Sequence, residues 1–185
     1  MKSRLHSVVI LFLFASALVH AQGFQAPSPG KAVIYFVRPS SAGFAISFDF
    51  YHNDKYIGDF AGRNYMRYET DPGEHLFWAS SENHEFLTAE IKEGGVYVVL
   101  VEVEMGFAIA RVGLLPVSAT DKAFDRVKKL VDKKGPKETS QGDVSKRNEL
   151  RVEYIQDKVK NYHEKWKETR TYKHLSADMA IPLNL

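Results

Sequence analysis

The sequence predicts a mainly β protein, an antiparallel β-sandwich of about eight strands followed by C-terminal helices. Short runs of alternating apolar and polar residues recur along residues 31–117 and are separated by turn residues. After residue 118 the apolar residues take up helical spacing instead. The composition, 44% hydrophobic and 26% charged, is ordinary for a globular domain with its own core.

The first part of the chain, residues 1–21, has the pattern of a secretory signal peptide. Lys2 and Arg4 precede a short apolar run at residues 8–18, and small residues follow where a signal peptidase would cleave, after Ala21. An uncleaved membrane anchor is the alternative, but a spanning helix needs about 20 apolar residues. We therefore expect an exported protein.

Cysteine is absent from the whole chain. An exported domain of this sequence cannot form disulfides or carry a lipid on an N-terminal cysteine, so we expect a soluble periplasmic or extracellular protein. No transmembrane segment is expected after signal cleavage. Without Lys2 and Arg4 the basic and acidic residues are equal in number, so the charge does not indicate a nucleic-acid partner.

Residues 22–30 are rich in Pro, Gly and Ser and predict a flexible leader before the sandwich domain at residues 31–117. The predicted strands of that domain cover residues 31–38, 45–52, 55–60, 64–70, 75–81, 85–92, 96–104 and 107–115. The clearest alternation is in the second of them, where Ile46, Phe48 and Phe50 form one face. This strand should be buried on that face.

The stretch Asp71-Pro72-Gly73 predicts a tight hairpin turn. Proline suits the first central position of such a turn, and glycine supplies the positive φ of a type II turn at the second. The strand beyond it contains Trp78, which we expect in the core because a buried indole removes a large apolar area from water. His75 follows the turn directly, and a structural or surface role is favoured for it over a catalytic one.

The C-terminal part predicts a helix at residues 118–132, a linker at 133–143, a long amphipathic helix at 144–174 and a tail at 175–185. Ser118 is the candidate N-cap of the first helix. The apolar stripe of the long helix comprises Val152, Ile155, Val159, Tyr162 and Trp166. Because the stripe is short, docking on the sandwich is favoured, with self-association or partner binding through this helix as the alternative.

No catalytic or metal-binding pattern stands out. His84-Glu85 and His163-Glu164 lack a second histidine four residues after the first, which zinc binding on a helix requires. A carboxylate pair such as Asp49 with Glu69 is an improbable acid–base site, because acids on strands usually face solvent. We therefore expect no catalytic residue, no metal and no cofactor.

Candidate binding residues are aromatic. Tyr51, Tyr56, Tyr65 and Tyr68 lie on neighbouring predicted strands, and aromatic residues with polar tips are enriched at binding surfaces. With His75 they form the candidate binding set. Packing between strands explains the same tyrosines without a ligand and is the favoured interpretation.

Five short motifs follow one another in the β region: Arg38-Pro39, Asn53 to Gly58, Tyr65, Pro72 to His75, and Gly95 to Tyr97. In this order, over about residues 30–115, they resemble the bacterial family called domain of unknown function 2846. The resemblance implies an exported, often lipid-anchored β domain with no assigned activity. It carries no catalytic residue to this chain, and the missing cysteine departs from the lipid-anchored members.

Together these observations predict an uncharacterised, exported, non-catalytic β-sandwich module of the bacterial cell envelope with a binding or structural role. Its expected partner is an envelope protein or a glycan. The alternative is an envelope hydrolase whose active-site residues are dispersed along the sequence. A deep pocket that gathers a histidine with carboxylates would favour the hydrolase.

Overall fold

The computed structural model describes residues 23–105 and 110–184. The predicted signal peptide lies outside these residues, as does the start of the eighth predicted strand. Two β-sheets pack face to face, and helices cover the outer face of each. The predicted mainly β sandwich with C-terminal helices is confirmed. Within the described ranges, no helix is both long and apolar enough to cross a membrane.

The first eight strands lie close to the predicted positions, and a ninth lies where the end of the long helix and the start of the tail were predicted. They are β1 Ala32–Arg38, β2 Ser47–His52, β3 Lys55–Ala61, β4 Asn64–Thr70, β5 Gly73–Ser80, β6 His84–Ile91, β7 Val96–Met105, β8 Ala110–Val117 and β9 Lys173–Leu175. The helices are α1 Phe124–Val131, α2 Gln141–Leu150 and α3 Val152–Asn161, and α3 continues through a π-helical turn at Tyr162–Trp166 to Lys167–Thr169. A 3-10 turn follows at Ala177–Met179.

The sheets are mixed, whereas a purely antiparallel sandwich was predicted. The first sheet has four strands in the order β4-β1-β7-β8, and the second has five in the order β3-β2-β5-β6-β9. β1 is parallel to β7, and β6 is parallel to β9. Turn chemistry predicts only pairs of consecutive strands, and these partners are far apart in sequence, so alternation and turns could not reveal them.

The space between the sheets contains the inner core. Phe48 and Phe50 of β2 point into it, and Ile46 packs against it, as the alternation predicts. Phe77 and Ala79 enter from β5, and Leu175 of β9 is fully buried there. The tail residue Leu175 is therefore part of the central packing.

The outer face of the first sheet is covered by α1 and by the leader. Phe24 meets Tyr35 edge-on at 5.0 Å and stacks on Phe124 at 5.8 Å between ring centroids. The backbone N–H of Gly23 donates to the carbonyl of Val131. Residues 23–30, which belong to the predicted flexible leader 22–30, are thus anchored to the sandwich through Gly23 and Phe24.

Helix α1 begins at Phe124 and not at Ser118, so the predicted cap is also wrong. The Asp121 carboxylate accepts hydrogen bonds from the backbone N–H and the hydroxyl of Ser118, at 2.6 and 2.7 Å. The Ser118 hydroxyl therefore donates to a side chain and caps no helical N–H. Successive turns separate Ser118 from the helix.

The outer face of the second sheet is apolar as well, and this is why α3 docks there. Trp78 stacks on Tyr51 with ring centroids 3.7 Å apart and on Phe86 at 5.4 Å. Ile155 and Tyr162 of the helical segment complete this outer cluster. Docking of the C-terminal helix on the sandwich is therefore observed, as favoured from the sequence.

The long helix predicted at residues 144–174 differs in its bounds. It begins at Gln141 with Ser140 as N-cap, is interrupted at Arg151, and ends at Thr169. Val152, which belongs to the predicted stripe, is 49% exposed because the interruption turns it away from the sheet. The linker is correspondingly shorter than 133–143.

The Asp71-Pro72-Gly73 stretch does not form a hairpin. It connects β4 of the first sheet to β5 of the second, so the chain changes sheets here. Gly73, with φ of +129°, is the first residue of β5 and pairs with Ile91. The same residue types suit a tight hairpin and a corner between sheets, because both need one residue with positive φ.

Two asparagine side chains act as single-residue strand partners at sheet edges. The Asn148 amide donates to the carbonyl of Tyr56 and accepts from its N–H, both at 2.9 Å. The Asn83 amide makes the same pair of bonds with Val112, at 2.9 and 2.8 Å. These contacts satisfy main-chain groups on β3 and β8 that would otherwise be open to pairing with another chain.

We expect Trp78→Ala to destabilise the protein by about 3–5 kcal/mol, because it removes a fully buried indole and leaves a cavity under α3. Urea unfolding monitored by circular dichroism measures the change. Leu150→Ala is the matched control, since Leu150 is 74% exposed. Equal effects of the two substitutions would show that the outer cluster is not packed as described.

Candidate functional site

Three of the open clefts in the described part of the chain are lined by several polar side chains. The strap cleft, about 700 Å³, lies between β3, β4 and residues 137–148. The histidine groove, about 430 Å³, lies beside β5 and β6 and includes His75, His163 and His174. The end cleft, about 500 Å³, lies where β6, β7 and β8 meet the segment after α3. The three clefts differ in how many of their polar side chains already form hydrogen bonds or ion pairs within the protein.

Three of the four candidate tyrosines are structural. Tyr51 and Tyr56 lie beneath the C-terminal helices in the outer cluster, and Tyr65 packs on the opposite side of the molecule beside Tyr35. Burial raises the pKa of Tyr51 and of Tyr65 to about 12. Their packing between elements agrees with the interpretation favoured from the sequence. Tyr68 is partly buried and lines the strap cleft.

Asp49 docks α2 and does not form an acid–base pair with Glu69. It receives hydrogen bonds from Arg147 at 2.9 Å and Arg151 at 2.5 Å, while Glu69 pairs with Arg67 at 2.6 Å. β2 and β4 also belong to different sheets. The pair considered from the sequence is therefore not formed, because each carboxylate neutralises its own arginine partners.

Part of the polar lining of the strap cleft is bonded within the protein, while the side chains of Lys55, Lys137 and Glu138 form no ion pair among the described residues. Thr139 and Asn148 bond the main chain of β3, the Tyr56 hydroxyl donates to Asp59 at 2.6 Å, and the Tyr68 hydroxyl bonds His52. The backbone N–H of Lys137 donates a hydrogen bond to the carbonyl of Tyr65. These bonds close the edge of the sandwich, so most of this cleft serves the fold.

His75 is held in a hydrogen-bonded pair with His52. The Nδ1 atom of His75 lies 2.8 Å from Nε2 of His52, and its Nε2 lies 2.9 Å from the carbonyl oxygen of Asp71. No carboxylate bonds either ring within the described residues. Nor do three His, Asp or Glu side chains of the described ranges come together in a metal-binding arrangement. The two His-Glu motifs, His84-Glu85 and His163-Glu164, thus find no metal partners there.

The end cleft is built by the ends of several elements. β6 supplies His84 and Glu85, the end of β7 supplies Glu104, and β8 supplies Arg111. Trp166, Arg170 and Tyr172 come from the end of the helical segment and the residues after it. Because strand and helix ends meet here without a covering layer, these side chains face an open space.

The charged groups of the end cleft are largely uncommitted. Among the described residues, Glu85, Glu104, Arg111 and Arg170 form no ion pair with one another or with any other group. Glu104, Arg111 and Arg170 are exposed and Glu85 is half-buried, so water solvates most of these charges in the free protein and a ligand can pair with them.

Aromatic groups complete the end cleft. The Arg170 guanidinium lies 4.9 Å from the centroid of the Trp166 ring, and Trp166 stacks on His84 at 5.9 Å. The Tyr172 hydroxyl is buried and makes no hydrogen bond of normal geometry within the described part of the chain, while the Arg170 guanidinium beside it opposes the rise that burial causes in its pKa. An unsatisfied buried hydroxyl is costly unless a water or a ligand provides the missing bond.

Glu85 is perturbed by its surroundings. Burial raises its pKa, and the nearby Glu104 carboxylate raises it further, whereas Lys173 and Arg170 oppose the change. His84 beside it bonds the Tyr154 hydroxyl at 2.8 Å, and burial lowers the pKa of His84. The carboxylates of Glu85 and Glu104 can accept hydrogen bonds and the guanidinium groups of Arg111 and Arg170 can donate them, so the cleft offers both functions.

The end cleft was missed from the sequence for a clear reason. Glu85 and Glu104 belong to strands where an acid normally faces solvent, and they lie in different sheets. Arg170 and Tyr172 fall within a stretch predicted to be helical. Only the docking of the helical segment brings these residues together, and no sequence spacing indicates it.

Comparison of the chain with protein-family models and with curated proteins finds no match in either case. The resemblance to domain of unknown function family 2846 stays a prediction. The site must therefore be interpreted from its own geometry.

We expect Glu85→Gln to stabilise the protein at about pH 7 and to have little effect below about pH 4. The raised pKa means that the folded chain holds this proton more tightly than the unfolded chain. The free energy of unfolding therefore falls as the pH rises above the ordinary glutamate pKa, and glutamine removes that loss.

Urea unfolding of both proteins across this pH range measures the effect, with exposed Glu82→Gln as the control. A stability difference for Glu85→Gln that is the same at every pH would contradict the environment described for Glu85.

Proposed function

We propose that the chain is an exported, non-catalytic β-sandwich module that binds a glycan of the cell envelope in the end cleft. The observation that carries the proposal is the group of unpaired charged side chains beside the buried, unsatisfied Tyr172 hydroxyl. The filled cores between and outside the sheets leave no deep internal pocket among the clefts described.

A glycan suits the chemistry of this cleft. Sugar hydroxyls both donate and accept hydrogen bonds, so they can pair with the carboxylate of Glu104 and with the guanidinium of Arg111. The ring of Trp166 offers an apolar face for a sugar ring. Carboxylates and guanidinium groups stand side by side, which disfavours a polyanion such as nucleic acid.

Export is part of the proposal and is supported by the pattern of residues 1–21. A periplasmic and an extracellular address both fit. The proposed function uses no cofactor. The alternative partner, an envelope protein, is less well matched, because the end cleft is a concave polar site without the apolar centre that protein interfaces have.

Hydrolysis of the glycan is the second candidate, and the end cleft specifically favours it over other enzymatic functions. It gathers His84 with Glu85 and Glu104, and the pKa of Glu85 is raised, as a general acid requires. Glycosidases use two carboxylates in this way. Binding is preferred to hydrolysis because Arg111 and Arg170 lie in the same cleft as Glu85 and Glu104. A positive charge near Glu85 favours its ionised form, whereas a general acid must be protonated.

The test uses residues 22–185 and soluble fragments of bacterial cell-wall glycan, with affinity measured by calorimetry. We expect Glu104→Gln and Arg170→Gln each to weaken binding by about tenfold or more, because each removes a charged hydrogen bond. Lys137→Gln in the strap cleft is the matched control and should bind normally. No binding by the native protein, or equal loss in the control, would contradict the proposal.

Incubation of the same fragments with the native protein separates the two candidates. Binding without new reducing ends supports the module. Release of reducing ends that Glu85→Gln abolishes, with binding retained, would establish the hydrolase instead.

A further inference from the structure

A chain of hydrogen bonds connects the strap cleft to the histidine groove, away from the end cleft. The Tyr68 hydroxyl lies 3.0 Å from Nδ1 of His52, and Nε2 of His52 lies 2.8 Å from Nδ1 of His75. Nε2 of His75 lies 2.9 Å from the carbonyl oxygen of Asp71. Tyr68 lines the strap cleft and His75 lines the groove, so the chain has one end in each.

The Asp71 carbonyl determines the direction of every bond in the chain. A carbonyl only accepts, so Nε2 of His75 carries the hydrogen and Nδ1 of neutral His75 accepts. His52 must then donate from Nε2, and its Nδ1 accepts from the Tyr68 hydroxyl. Both histidines are neutral in this state, each with one defined tautomer.

Asn53 allows the central bond to reverse. Its Oδ1 accepts from the backbone N–H of Leu76 at 3.0 Å, which orients its Nδ2 towards Nε2 of His52 at 3.4 Å. When Nε2 of His52 carries a hydrogen, this contact joins two donors and contributes no bond. When that nitrogen is bare, it can accept from Asn53 as well as from His75.

His52 is placed to pass a proton without keeping its charge. Its ring stacks on Phe77 at 4.6 Å between centroids. Burial lowers the pKa of His52 to about 4, and the charges of His75 and Lys55 lower it as well. Asp54 and Asp71 act in the opposite direction, with smaller effects. The cationic form of His52 is therefore disfavoured. His75 lies nearer the surface, in the groove.

We propose that Tyr68, His52 and His75 form a reversible proton relay that charges the histidine groove in mild acid. A proton enters at the Tyr68 oxygen as the original hydroxyl proton moves to Nδ1 of His52. The Nε2 proton of His52 moves at the same time to Nδ1 of His75. The chain has then gained one proton, and the positive charge is on His75. His52 is neutral as its Nδ1–H tautomer, and the Tyr68 oxygen accepts a hydrogen bond from that Nδ1–H.

The surroundings of His75 can hold this charge. Asp71 lies at the start of the link that carries His75, and its carboxylate is paired with Lys31 at 2.7 Å. The charged and titratable groups that face the two histidines from neighbouring elements are Asp54, Lys55, Glu74, Glu90, His163, Lys167 and His174. Glu74 and Glu90 favour the cation, and Lys55 and Lys167 oppose it. The groove thus gains a positive charge, and its attraction for anions increases.

The relay is tested by nitrogen-15 NMR of the imidazole rings between about pH 8 and about pH 5. At high pH we expect both histidines as the Nε2–H tautomer. On acidification His75 should become doubly protonated while His52 changes to the neutral Nδ1–H tautomer, with one shared midpoint. Persistence of the Nε2–H tautomer on His52 after His75 is charged would overturn the relay, as would independent charging of His52.

Tyr68→Phe removes the acceptor that the reversed chain needs. We expect the shared midpoint to fall by about 1 pH unit, because the Nδ1–H that His52 carries when His75 is charged then has no acceptor. Tyr65→Phe is the matched control, because the Tyr65 hydroxyl donates to the carbonyl of Lys134 outside the relay. Equal shifts in the two variants would overturn the relay. The measurement on the native protein decides the question even if a variant fails to fold.

Discussion

The five-stranded sheet is apolar on both faces, and this constraint determines the rest of the molecule. On β5, Phe77 and Ala79 enter the core between the sheets, while Leu76 and Trp78 point the other way and are also buried. An exposed face made of Tyr51, Trp78 and Phe86 would cost a large apolar area in water. The C-terminal helical segment removes that area, so it is a layer of the fold and not an attachment.

Electrostatic contacts set the position of that layer. Asp49 on β2 holds Arg147 in α2 and Arg151 at the break between α2 and α3. Asn148 adds a strand-like pair of bonds to the edge of β3. Hydrophobic burial is non-directional, so polar contacts of this kind are needed to select one register of the helix on the sheet. The register in turn determines where the helical segment ends.

The end cleft is a consequence of this register. The segment ends beside the first residues of β6, and Trp166, Arg170 and Tyr172 therefore stand opposite Glu85 and Glu104. A helix shifted by one turn would move these side chains by about 5 Å and separate them from the carboxylates. The candidate site and the covering of the sheet are thus two results of one docking event.

Local physics explains why the strands were predictable and the site was not. The alternation of Phe48 and Phe50 with polar residues indicates which face of β2 is buried. The bounds of β4 follow from the turn residues on either side of it. Trp78 next to Phe77 shows no alternation that could tell one buried face from two. The parallel pairing of β1 with β7 and the meeting of Glu85 with Arg170 depend on contacts between distant segments, which leave no trace in a local pattern.

Native-state hydrogen exchange of the whole chain tests directly whether the helical segment belongs to the core. If it does, the backbone amides of α3 share one free energy of opening, and one dependence on denaturant, with those of β5 and β6. Exchange of α3 through a separate opening of much lower free energy, with β5 and β6 still fully protected, would contradict the account.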